Sequence, residues 1–276
     1  MTLSARNAFF KIGIWFCAVC TFLTIAVSSM TVHIYPEMEG STPRPAYIFQ
    51  FLSGQLLGSN NYAVHASIAA SVLFSLIAII LIHFFFERTS APEILYISFF
   101  TISFAFEAIR LILPLHFIYN FPPAYLLFAA RLLLFARFFG VFSLFTASVC
   151  ASGLDVQKTR DVVFSIIIAA MIITVGIPID VQTWDTSLNM VVGYDARFRV
   201  IEAFVFITTM ASFFIASNVR DSREYNFVAV GVMVAMIGRN ILLGADNWAG
   251  PVPGIMLLSF GTWLLCAKLH RIHLWL

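Results

Sequence analysis

Six charged side chains interrupt long apolar runs of this chain: Glu107, Arg110, Arg131, Arg137, Glu202 and Arg239. Glu107 and Arg110 stand three residues apart in "FAFEAIRLILPL", Phe104 to Leu115. An unpartnered charge at a bilayer centre costs about 2.5–3.5 kcal/mol, so such groups turn inward and find partners. Arginine stays protonated in any protein environment. Its planar fork also matches the two oxygens of a carboxylate or phosphate.

The four arginines oppose two glutamates, which leaves a surplus of two positive charges. Measured along helices at about 1.5 Å per residue, all but Arg137 fall in one half of the membrane. Arg137, counted from Pro123, falls near the midplane. The expected chemistry is therefore electrostatic capture of an anion, either a small molecule or a lipid headgroup. In this reading Arg110, Arg131 and Arg239 hold the anion. Glu107 orients Arg110, Asn240 adds hydrogen bonds, and Glu202 and His65 complete the set.

A structural reading stands beside each of these. Glu107 and Arg110 lie about 60° apart on an α-helix and can simply pair. Arg199 with Glu202, and Arg131, can snorkel to the interface. Arg137 lies about 120° around the helix from Arg131, so the two need not share a pocket.

Other chemistries find little support. His33, His65 and His116 fall near Glu37, Glu107 and Asp246, but they come from separate elements without the spacing of a zinc motif. No phosphate-binding loop or nucleophile elbow occurs. No cofactor is implied; a lipid-modifying enzyme using these histidines and carboxylates is a third functional reading, and a structural subunit of a larger membrane complex a fourth. "CAVC", Cys17 to Cys20, sits in an apolar run and reads as two small packing residues rather than a redox motif.

The elements that must position these groups are membrane helices. The 276 residues are 61% hydrophobic and only 11% charged, against about 25% charged in a soluble domain. A net charge of +2 gives no electrostatic footprint for nucleic acid. Runs of about 20 apolar residues mark spans. They fall at Phe9–Met30, Ala63–Phe86, Ile94–Leu113, Pro123–Cys150, Val162–Ile179, Phe198–Asn218, Asn226–Gly244 and Val252–Ile272. The fold expected is an all-α polytopic bundle of eight transmembrane helices in one membrane domain. It has seven if the first span is a cleaved signal peptide.

Nine lysines and arginines flank one side: Arg6, Lys11, Arg88, Lys158, Arg160, Arg220, Arg223, Lys268 and Arg271. Arg44, Arg197 and Arg199 flank the other. This asymmetry puts both termini in the cytoplasm of a multi-pass plasma (inner) membrane protein. The connections on that side are short and hold no output domain, so a receptor or sensor of this kind would signal through a membrane or cytoplasmic partner. The opposite side has two longer segments, about 31–62 and 180–197, read as lids over a pocket or as interfacial loops. "GADNWAGPVPG", Gly244 to Gly254, follows Arg239 and reads as a helix connection or pocket rim. "LHRIHLWL" reads as an interfacial anchor. A transporter of a small anion or amphiphile is the main alternative, although no pair of broken helices marks a midplane site.

Overall fold

With no water in a bilayer core to satisfy peptide groups, an apolar chain closes its backbone hydrogen bonds as helices, and most of the described residues of this one do so. The computed structural model describes residues 3–32, 58–87, 89, 91–153, 159–193 and 195–274. The side chains of 159, 181–182, 195–198 and 273–274 are excepted. Most of the segment 31–62, with His33, Glu37 and Arg44, lies outside the described residues, as do Arg88, Lys158 and Trp275.

The helices are α1 (Leu3–Thr31), α2 (Asn61–Phe86), α3 (Pro92–Ser103), α4 (Ile112–Tyr119), α5 (Pro123–Ala151), α6 (Thr159–Gly176), α7 (Asp195–Val219), α8 (Glu224–Leu243) and α9 (Pro251–Leu274). A 3₁₀ segment, Phe104–Leu111, joins α3 to α4 into one rod from Pro92 to Tyr119. Among the described residues, seven helices are long and apolar enough to cross a membrane. The eighth expected span is α6, of 18 residues, which stops at Gly176. Pro178 two residues later disfavours continuation. The protein is thus an all-α membrane bundle. Its exterior carries Trp15, Phe22, Phe84 and Phe128 largely exposed, as lipid contact requires.

The start of α1 and the end of α9 lie at one end of the bundle, which we call the termini end. There Arg6 donates to Thr89 O, to Phe86 O at 2.7 Å and to Glu87 O at 3.3 Å. It thereby caps the exposed carbonyls of α2 with a cation. Lys268 bridges α9 to Glu224 of α8 at 2.8 Å. Cys17 packs on Ser75, with Sγ 3.0 Å from Oγ, and neither Cys17 nor Cys20 is bridged.

The opposite end carries a feature that reading 180–197 as loop did not include. Strands β1 (Ile179–Trp184) and β2 (Met190–Val192) pair antiparallel, with Ile179 opposite Val192 and Trp184 opposite Met190. We call this the hairpin end.

Helices α8 and α9 approach most closely through glycine. A Cβ on Gly238 would stand 2.8 Å from Gly254 O, and one on Gly261 would stand 2.6 Å from Gly231 O. Small residues at such seams let backbones meet in lipid, where apolar burial alone drives no association. Gly238→Val or Gly261→Val is expected to reach or exceed the top of the range of about 1–3 kcal/mol for overpacking, because backbone atoms cannot rotate away. Thermal unfolding in mild detergent, followed by size-exclusion of the surviving fraction, checks this.

Candidate functional site

The third span is where the sequence and an ideal helix part. Pro114 has no N–H for Arg110 O, and its ring crowds that carbonyl. The turns before it wind as 3₁₀, with 3.0 residues per turn and about 2.0 Å rise. Residues three apart then eclipse, so Phe104, Glu107 and Arg110 form one line, and all three are buried. The approximate 60° offset of an α-helix is removed.

Glu107 receives a second helix. Arg137 of α5 donates to it through both arms of its fork, Nε to Oε1 at 2.8 Å and Nη2 to Oε2 at 2.6 Å. Arg110 Nη1 stands 3.6 Å from Glu107 Oε2. Gly140, one turn beyond Arg137, sets this geometry. A Cβ there would run into Ser103, with Ser103 Cβ at 3.0 Å, so only glycine lets α5 lie so close to the end of α3.

The hairpin closes over the pair. At its tip Asp185 N–H donates to Asn189 O at 2.7 Å, and Leu188 adopts φ 59. That left-handed backbone is costly for a residue with a bulky side chain. In return Leu188 is buried in a cluster with Val64, Ile68, Leu111, Leu113 and Leu126. The tip's polar atoms meet the bundle's cations. Arg110 Nη2 donates to Ser187 O, and Arg137 Nη2 donates to Asn189 Oδ1 at 2.8 Å. Asn189 Nδ2 also donates to Leu243 O at 3.3 Å, at the end of α8. Thr186 Oγ1 donates to Asp246 Oδ2 at 2.9 Å, so the "GADNWAGPVPG" connection forms part of the rim. Asn60 N–H donates to Asp246 O at 2.8 Å.

Arg239 of α8 pairs with Glu202 of α7 and donates to Asn240 Oδ1 at 3.1 Å. It stands close enough to Glu107, and Glu202 to Arg137, for the two pairs to act on each other electrostatically. The charged groups gathered here are Arg110, Arg137 and Arg239 with Glu107 and Glu202, and the tip adds Asp185, which accepts from Ser187 Oγ at 3.2 Å, and the rim Asp246.

Two expected members are placed differently. Arg131 donates to Thr174 O at 2.9 Å and Val175 O at 3.0 Å, capping the last turn of α6. Arg131→Gln should therefore destabilise modestly, by about 0.3–1 kcal/mol, and leave anion binding unchanged. Chemical denaturation and titration with inorganic phosphate check the two halves separately. His65 bonds Asn61 O through Nδ1 at 2.9 Å and Thr31 Oγ1 through Nε2 at 3.1 Å. It ties α1 to α2 beside the cluster.

Sequence reasoning missed Arg137, Ser187 and Asn189 as members. Counting from Pro123 placed Arg137 too deep, because α5, with 29 residues, is about 43 Å long against a core of about 30 Å. Through Asn189 its guanidinium shares a level with Leu243. A local signal for the 3₁₀ turn was available in Pro114. The hairpin tip, "DTSLN", carries no periodicity that would have pointed to it.

A cavity of about 40 Å³ adjoins Arg110, Arg137 and Asn189, room for about one water and far below the roughly 300 Å³ of a small-molecule site. Below it, Phe104 meets the rings of Phe74 and Phe100, each at 5.2 Å. Searches with the sequence and with the fold find no matching protein family, curated protein or solved structure.

Proposed function

We propose that this is an anion-binding, receptor-like membrane protein whose β-hairpin is a displaceable lid over the arginines. One observation carries the reading. Arg110 Nη2 and Arg137 Nη2 donate to neutral oxygens of the hairpin tip, Ser187 O and Asn189 Oδ1, next to the fork that Arg137 gives to Glu107. Hydrogen bonds to an ionised acceptor are roughly twice as strong as neutral ones. A carboxylate or phosphate therefore competes well for the same donors, and its preference for the lifted state shifts the equilibrium. Arg239 and Asn240 supply further donors at the edge.

The aromatic stack of Phe74, Phe100 and Phe104 beneath the site favours binding over passage. The lysine and arginine excess at the termini end favours the hairpin facing outside. A signal then leaves through a partner at the termini end.

Titration of the detergent-solubilised protein with inorganic phosphate, hexyl phosphate and acetate tests this by thermal shift, since a ligand of the native state stabilises it by mass action. At least one probe should stabilise the wild type, and Arg137→Lys, which keeps charge but loses the fork, should bind about 10-fold more weakly, near 1.4 kcal/mol. No stabilisation by any probe, or unchanged affinity in Arg137→Lys, rejects the reading. Saturable uptake of the bound probe into liposomes would make the protein a transporter.

A further inference from the structure

The hairpin tip sits on the bundle as a bound ligand would. In three consecutive residues it gives Ser187 O to Arg110, the Leu188 side chain to an apolar recess, and Asn189 Oδ1 to Arg137 at 2.8 Å. Four segments wall the recess: Val64 and Ile68 come from α2, Leu111 from the 3₁₀ turn, Leu113 from α4 and Leu126 from α5. Leu188 is only 5% exposed there. Leu188 and Leu113 also bound the cavity of about 40 Å³ beside Arg110 and Arg137, so the leucine's place adjoins that cavity.

Lifting the tip empties the recess. An anion that replaces only the two oxygens leaves five apolar side chains facing a void or water, which is unfavourable until another apolar group fills the space. Long-range charge does little to offset this. Asp185 leaves with the tip. Of the charged groups gathered at the site, Arg110, Arg137 and Arg239 then face Glu107, Glu202 and Asp246, three against three.

We infer, resting on the reading of the tip as a lid, that the ligand is a carboxylate or phosphate bearing one short alkyl chain. Its oxygens take the places of Ser187 O and Asn189 Oδ1, and its chain takes the place of Leu188. The leucine side chain and the adjoining room for about one water set the length at roughly four to six carbons. A two-chain lipid brings a second chain for which this recess has no place.

Thermal-shift titration of the detergent-solubilised full chain with inorganic, methyl, butyl, hexyl and octyl phosphate tests this, with free concentrations set by dialysis against empty micelles. Affinity should rise about fourfold per methylene, near 0.8 kcal/mol, from methyl to butyl, and level off by octyl. Arg137→Lys should weaken every member alike and keep that slope. Val64→Phe fills the recess and expels Leu188, so it should bind inorganic phosphate more tightly and lose the gain from chain length. The wild-type series decides the matter without that variant. Stabilisation by inorganic phosphate with equal affinity for butyl phosphate overturns the inference and leaves the lid reading standing. No stabilisation by any member rejects both. A rise that continues unchanged through octyl overturns the inference as well, because it reports partition into an apolar phase. So does tighter binding of dihexanoyl phosphatidic acid than of hexyl phosphate, which would assign the site to a two-chain lipid.

Discussion

Replacing Glu107 with glutamine is expected to lower stability by about 3–5 kcal/mol, the loss seen when one partner of a buried ion pair is removed. Glu107 is 1% exposed and answers both Arg110 and Arg137. The glutamine retains one acceptor for Arg137 but turns an amide NH₂ toward the second cation. Two arginines then share a buried site without a carboxylate.

The double variant Glu107→Gln, Arg137→Gln separates this account from a simple loss of packing. It removes one negative and one positive charge together, leaving a single arginine there. It should therefore be more stable than Glu107→Gln alone, despite carrying an additional substitution. Arg137→Gln alone should cost less than Glu107→Gln, because Glu107 keeps Arg110 at 3.6 Å. Thermal unfolding of the three variants in one detergent decides it. A double variant weaker than Glu107→Gln would mean that shape, not charge, holds this site together.

The second large effect concerns the lid. Leu188 anchors the hairpin tip through its buried side chain while its backbone takes an unfavourable φ of 59. Lifting the tip moves that side chain from the cluster to water. Leu188→Ala should therefore shift the lid toward open by about 2–5 kcal/mol, the usual loss for this truncation, which is at least about 25-fold in the opening equilibrium. Glycine is a sharper probe. Leu188→Gly loses the same contacts but relieves a left-handed strain of about 1–2 kcal/mol. It should open the lid no more than alanine does, although its side chain is smaller. Asn189→Ala, which removes the bond to Arg137, should add to either, and hydrogen exchange across 185–189 reports all of these openings. If the two Leu188 variants exchange like the wild type, the tip is not held by Leu188.

How much of this was legible in the residues depends on the range of the interaction. The helices were, because a shortage of charge and runs of apolar residues settle them locally. Seven of the eight expected spans are long and apolar enough to cross a membrane; α6, which ends at Gly176 rather than Ile179, is not among them. The arrangement of the charges was legible in part. Glu107 and Arg110 were visible as a pair, but the 3₁₀ winding before Pro114 aligns them in a way that α-helical spacing does not. Arg137 takes the larger share of Glu107 because Gly140 lets α5 lie against Ser103, a contact between segments far apart in sequence. Arg131 was grouped with the others by depth, yet it faces the carbonyls of Thr174 and Val175. The hairpin tip has neither periodicity nor motif, so its oxygens on Arg110 and Arg137 emerge only in three dimensions.

The central claim is that the tip is a lid that an anion lifts. Ser187 is fully buried, so a cysteine placed there reports directly. In a chain whose four native cysteines are replaced, Ser187→Cys is to be labelled with a membrane-impermeant maleimide from the hairpin side of proteoliposomes, with increasing inorganic phosphate, hexyl phosphate or acetate. The account predicts slow labelling without anion and a saturable rise with at least one of the three, the rise disappearing when Arg110 and Arg137 are both glutamine. A labelling rate that stays the same across all three titrations would contradict it.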